Sequence, residues 1–146
     1  MNMEGEQTIQ NRNGPGQNSR GSLKAVFLAF LAVMAVKVFL FDLMVTQGRS
    51  MLPTLEPGSV LVVSKAAYGF RVPGLGVYLV RWSVPREGDL VVFITPLGER
   101  VVKRCFYVTG DGRFFALGDN DLESFDSRSY GLIPPDHILG KVVAVK

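Results

Sequence analysis

Two residue types that carry much of enzyme and metal chemistry are almost missing from this chain of 146 residues, which has one cysteine, Cys105, and one histidine, His137. A single Cys cannot form an internal disulfide, and Cys105 with His137 falls short of the four-ligand Cys/His set of a structural zinc site. A disulfide scaffold and a zinc module are therefore excluded, and no metal or other cofactor is expected. Basic runs are lacking as well. Sixteen Lys and Arg stand against thirteen Asp and Glu, for a net charge of +3, and they are scattered along the chain. No segment tracks the phosphates of a nucleic acid, so nucleic acid is not an expected partner. Residues 1–22 lack large apolar side chains apart from Met1, Met3 and Ile9. Such a stretch cannot bury enough surface to offset its chain entropy, and it is expected to be a disordered cytoplasmic leader.

What is present is apolar: 47% of residues are hydrophobic and 20% charged, in a chain long enough for one domain. Part of that matter is concentrated in residues 25–36, an unbroken apolar run, followed by Lys37, Val38 to Phe41, Asp42 and Leu43 to Val45. Read as one helix over residues 23–45, it is long enough to cross a hydrocarbon core of roughly 30 Å. Lys37 and Asp42 oppose this reading, because a charge at the bilayer centre costs about 2.5–3.5 kcal/mol. Both fall in the C-terminal half, where Lys37 can snorkel towards the headgroups. The alternative is a cleaved signal peptide, with Arg20 and Lys24 as its basic region and residues 25–36 as its apolar region. No small-x-small cleavage site follows, since bulky residues fill positions 39–44 apart from Asp42, and a retained anchor is expected. Arg12, Arg20 and Lys24 precede the span, which places the N-terminus in the cytoplasm and residues 46–146 outside a cell membrane crossed once.

The remaining hundred or so residues alternate short β-rich runs with turn chemistry. Strands are predicted over residues 59–64, 89–95, 100–108, 113–117 and 141–145, with breaks at Gly58, Gly88, residues 96–98, residues 109–112 and Gly140. Residues 75–80 (LGVYLV) fit either a buried strand or a membrane contact. No amphipathic helix of ten residues is evident. The expected fold is mostly β, a compact antiparallel sheet or barrel-like catalytic domain behind one N-terminal transmembrane helix.

Residues 48–55 (GRSMLPTL) lie just past the span. Pro53 biases Leu52 towards extended geometry and Gly48 permits close approach of the backbone, so Ser50 is held in a shaped turn. A serine nucleophile needs a base within hydrogen-bond reach. His137, in Pro134-Pro135-Asp136-His137, is one candidate, and counting alone does not exclude a Ser/His/Asp triad through it. Lys103 is the other. It interrupts a strand whose alternation puts Val101, Lys103, Cys105 and Tyr107 on one face. If that face points inward, burial disfavours the ammonium form, and a neutral amine can take the Ser50 proton. If the strand is an edge strand, Lys103 and Arg104 simply reach solvent.

Four ordered boxes bear on that choice: GRSMLPTLEPG, EGDLVVF, VVKRCFYVTGD, and ALGDNDLESFDSRSYGLIPPDHILGKV. In order, behind a membrane span, they resemble the bacterial type I signal peptidases, membrane-bound Ser/Lys endopeptidases, over residues 38–145. The resemblance implies Ser50 as nucleophile and Lys103 as general base. It implies that Ser124 orients the lysine amine, and that Asp126 and Arg128 form an ion pair pinning Gly118-Asp119-Asn120 against the catalytic strand. Met51, Leu55, Val101 and Val102 match apolar residues lining shallow pockets for small side chains. The implied substrates are preprotein signal peptides cut at small-x-small sites, bound extended by β-strand addition.

Two departures stand out. Many relatives carry Arg-Asp-Asn where this chain has Asp121-Leu122-Glu123, and some carry a serine oxyanion donor where this chain has Gly48. The oxyanion hole must then use the Ser50 backbone N–H with another donor. A specialised conjugation or pilus-processing peptidase of the same family is one alternative function. An inactive, anchored, peptide-binding β domain is another.

Overall fold

The computed structural model describes residues 19–72 and 77–146. Residues 1–18 of the expected disordered leader lie outside the described residues, as do Leu75 and Gly76. The chain divides into two compact units, one ending at Ala32 and the other comprising Val33–Lys146.

Helix α1 (Ser19–Phe39) is apolar on every side, and its stretch Gly21–Phe39 is long and apolar enough to cross a membrane, with none of it buried. An all-round apolar, exposed helix of this length could span a membrane. The helix starts a few residues before the expected boundary and stops at Phe39 instead of running to residue 45. Leu40 marks the change: its N–H still bonds the Val36 carbonyl at 2.8 Å, while its own carbonyl accepts from Lys65 N–H at 2.8 Å. Phe41–Val45 then form strand β1, antiparallel to β2 (Val60–Ser64). Asp42 is thereby a strand residue near Lys65 (3.8 Å) and Arg100 (3.9 Å), and its carboxylate no longer burdens the span.

The remaining strands are β3 (Gly69–Arg71), β4 (Tyr78–Arg81), β5 (Leu90–Ile94), β6 (Arg100–Val108), β7 (Phe114–Leu117) and β8 (Ile138–Val145). Six of them make one antiparallel sheet in the order β1-β2-β8-β5-β6-β7, and β3 with β4 forms a separate hairpin. Residues 78–80, read from sequence as a buried strand or a membrane contact, lie in that hairpin, where Leu79 and Val80 are exposed. The one helix described after α1 is the single turn α2 (Ser127–Tyr130), and Pro135–His137 form a 3₁₀ turn.

Strand β5 is buried on both faces. Val91 and Phe93 join a core with Tyr68, Cys105 and Phe114, while Val92 joins a second with Met51, Leu55, Leu61 and Val63. Lys103 is the ladder partner of Val91, so its side chain is carried into the protein on the inward face of β6, and it is 3% exposed. The predicted alternation holds through Cys105 and fails beyond it. A register shift between Cys105 and Tyr107 turns Tyr107 outward onto Phe115, with ring centroids 5.2 Å apart.

Candidate active site

The loop carrying Ser50 is anchored from both sides. Met51 and Leu55 are buried in the second core, and the turn between them closes through Leu52 N–H to Arg49 O (3.1 Å) and Leu55 N–H to Met51 O (2.8 Å). Across it lies Asn120, whose backbone N–H donates to Ser50 O at 3.0 Å and whose side-chain amide donates to Arg49 O at 3.1 Å. With its backbone gripped on two sides, Ser50 presents Oγ to Lys103 Nζ at 2.5 Å. Burial holds the Lys103 amine below the ordinary lysine range; the charge of Arg128 pushes the same way, and Asp126 and Asp119 oppose both.

Asp126 organises the segment behind the lysine. Fully buried, it accepts from Gly118 N–H at 2.9 Å, from Ser124 Oγ at 2.6 Å, and from Arg128 Nε and a terminal guanidinium N–H at 2.9 and 2.8 Å. Its carboxyl is held well below the usual carboxylate range by those donors, which outweigh the cost of burial. The ion pair expected between Asp126 and Arg128 is present as a two-pronged contact. Gly118 is obligatory at this point, because a Cβ there would collide with the Ser124 side chain and the Ser50 carbonyl.

Sequence reasoning missed two partners. Arg104, next to the lysine but on the opposite face of β6, forks onto Asp119 at 2.9 and 2.7 Å and also reaches Gly88 O at 3.0 Å. This fork ties the Gly118–Asn120 segment directly to the lysine strand; alternation along β6 carried the signal, since Arg104 cannot share the Lys103 side. Asp121 was the second, giving Arg128 another carboxylate at 2.9 Å. The local departure from the family pattern is thus absorbed into the same ion-pair network. His137, by contrast, places its Nδ1 2.9 Å from Ile94 O on the far part of β5, and it is not paired with Ser50.

A cavity of about 340 Å³ opens beside Ser50, lined by Gly48, Met51, Val101 and Val102 among others. Leu55, expected to line it, is instead packed in the core, 1% exposed, where it supports Met51. Two strand edges border the cavity. Strand β6 is covered by β7 only from Arg104 onward, which leaves residues 100–103 open on that side. Glu99 O accepts from Thr95 N–H and Cys105 N–H donates to Asp89 O, so the odd-numbered residues bond to β5 and the backbone of Val102 faces away. Strand β1 is the outer strand of the sheet. Thr46 N–H donates to Ser59 O, so Val45 and Gln47 face outward by the same alternation.

A hydroxyl beside a desolvated amine, at the mouth of a cavity with two open strand edges, has the parts required for acyl transfer from an extended peptide. The family profile described as signal peptidase, peptidase S26, matches residues 19–112 and 107–146, and the chain belongs to that family. Individual relatives point the same way. A signal peptidase I of Bacillus caldolyticus is 28% identical over 86% of this chain and 90% of its own length. Signal peptidase I of Buchnera aphidicola subsp. Acyrthosiphon pisum is 31% identical over 69% of this chain and 33% of its own length. That of Pseudomonas aeruginosa is 33% identical over 60% of this chain and 32% of its own length. The chain therefore spans most of the Bacillus relative and about a third of the other two.

Proposed function

We propose that this chain is a signal peptidase I that removes signal peptides from translocated preproteins, with Ser50 as nucleophile and Lys103 as general base. The observation that carries this reading is the contact between Lys103 Nζ and Ser50 Oγ, made by a lysine that is 3% exposed. In the first step the neutral amine takes the Ser50 proton as Oγ attacks the carbonyl carbon of the scissile bond. The protonated amine then gives that proton to the leaving amine, and water, deprotonated by the same lysine, releases the acyl group. The Ser124 hydroxyl donates to Asp126, and among the hydrogen bonds described it is not paired with Lys103; the family resemblance gives it the role of orienting the lysine amine. Gly48, Met51, Val101 and Val102 line the cavity beside Ser50, and the family resemblance assigns such positions to shallow pockets that select the small side chains of small-x-small sites. No cofactor takes part in these steps. The catalytic unit sits outside the cell membrane, with residues 1–22 in the cytoplasm and the bilayer and preproteins as partners.

The test is cleavage of a small-x-small preprotein by pure full-length enzyme. Ser50→Ala and Lys103→Ala are each expected to lower kcat by at least ~10³-fold with the melting curve retained. Cleavage at the parental rate by either variant would overturn the dyad and favour an anchored peptide-binding domain.

A further inference from the structure

A neighbouring cavity adjoins the one beside Ser50 at Arg100. A second cavity of about 360 Å³ shares Met44 and Arg100 with the first. Its apolar wall includes Val38 and Phe39, the last two residues of the membrane-spanning stretch, together with Val72 and Leu139. Its charged wall is unequal: Lys65 and Arg100 both face the single carboxylate of Asp42. Asp42 stands 3.8 Å from Lys65 and 3.9 Å from Arg100, so one anion is shared between two cations and the cavity keeps a positive excess.

The direction of a bound peptide follows from β6. Residues selected for small size precede the scissile bond, and the positions that select them, Val101 and Val102, lie on the Arg100 side of Lys103. The upstream end of the peptide therefore runs towards Arg100. Three residues of strand separate Lys103 from Arg100, roughly 10 Å, so the peptide passes Arg100 at about the fourth residue before the bond.

We propose that this second cavity is a substrate subsite for about the fourth to sixth residues before the scissile bond, and that it accepts acidic and neutral side chains while disfavouring basic ones. The subsite rests on the peptidase reading above. Its occupant is the peptide because the cavity adjoins the one beside Ser50 at Met44 and Arg100, and because its apolar wall at the end of the candidate span meets the chain where a signal peptide passes from apolar to polar residues. Arg100 is then a specificity-determining residue.

The experiment uses full-length enzyme in neutral detergent and three peptides with one Ala-x-Ala site, differing only in Asp, Ala or Lys at the fifth residue before the bond. For the parental enzyme, kcat/KM for the Asp peptide is expected to exceed that for the Lys peptide by about tenfold at low salt, the ratio shrinking as salt is raised. In Arg100→Glu the ratio is expected to fall towards one or invert. The salt comparison needs no variant and stands even if Arg100→Glu fails to fold. If the Ala peptide is cut in a Ser50-dependent way while Asp and Lys peptides are cut equally, the subsite is overturned and the peptidase reading survives. If the Ala peptide is not cut at all, both fall. Equal cleavage together with weaker binding of Arg100→Glu to phosphatidylglycerol vesicles than to phosphatidylcholine vesicles would make the cavity a headgroup site and overturn the proposal.

Discussion

The proposed role of Lys103 requires a neutral amine, and the residues around it pull in both directions. Burial and the positive charge of Arg128 lower its affinity for a proton, while Asp126 and Asp119 raise it. The net direction is downward from the free-lysine value, so the neutral fraction, and with it kcat/KM, should rise with pH through a folded pKa below the ordinary lysine range. A pH–rate profile on a short peptide checks this, and a rate flat from about pH 6 to 10 would contradict the buried-base argument. The same shift has a stability consequence of definite sign. The unfolded lysine holds its proton to higher pH than the folded one, so stability rises with pH between the two values. Gly48 supports a second prediction at this scale. A Cβ there meets nothing within 4 Å, its φ is not positive, and the position lines the cavity beside Ser50. Gly48→Ser should therefore be tolerated and place a hydroxyl near the developing oxyanion, raising kcat by about tenfold or more with little change in KM. A fall in kcat would show that the oxyanion site is already complete with backbone donors.

Strand pairing decides where a peptide can lie. The backbone of Val102 faces away from β5, and β7 does not reach it. Val102→Pro removes an N–H that makes no ladder bond, so the sheet should hold while a bound peptide loses a partner. The expected result is a rise in KM of about tenfold with melting shifted by only a few degrees; unchanged KM would mean that substrate does not pair with this edge. The strands built by local alternation between turns were readable in advance: β2, β5, β6 and β7 each fall within or close to their predicted ranges, whereas β8 begins three residues early and runs through Gly140, read as a break but in fact paired with Val92, where a Cβ would collide with the Ser64 carbonyl. β1 was not, because Phe41–Val45 continue an apolar run that reads as helix, and only the open edge of β2 converts it into a strand. Such a conversion depends on a partner some twenty residues away in sequence, which no local pattern carries. The Ser50–Lys103 pairing was legible through the four ordered boxes of the family resemblance, because a lysine inside an apolar strand fits an edge residue reaching solvent as well as a buried base until the fold shows which face points inward. The fork of Arg104 on Asp119 and the single contact of Arg128 with Asp121 were not, since charged residues of either sign look alike on a surface until the fold chooses their partners.

For the whole molecule, the change from helix to sheet at Leu40 fixes how the chain can be used. The candidate span ends at Phe39, β1 begins at Phe41, and Ser50 follows β1 after a short loop, so little chain separates the end of that helix from the proposed nucleophile. On the proposed function, an extended peptide between the outward backbones of Val45 and Val102, both at the cavity, would be cut only a short length of chain from the end of the helix. This geometry is useful only if the sheet lies on the side to which preproteins are exported. Arg12, Arg20 and Lys24 precede the span and bias the N-terminus towards the cytoplasm. Alkaline phosphatase fused after Lys146, active only where disulfides can form, should be active in cells, and a green fluorescent protein exported unfolded at the same position should be dark. The reverse pattern would place the dyad on the cytoplasmic side, out of reach of translocated preproteins, and would sink the proposed function even if the dyad cleaved peptides in detergent.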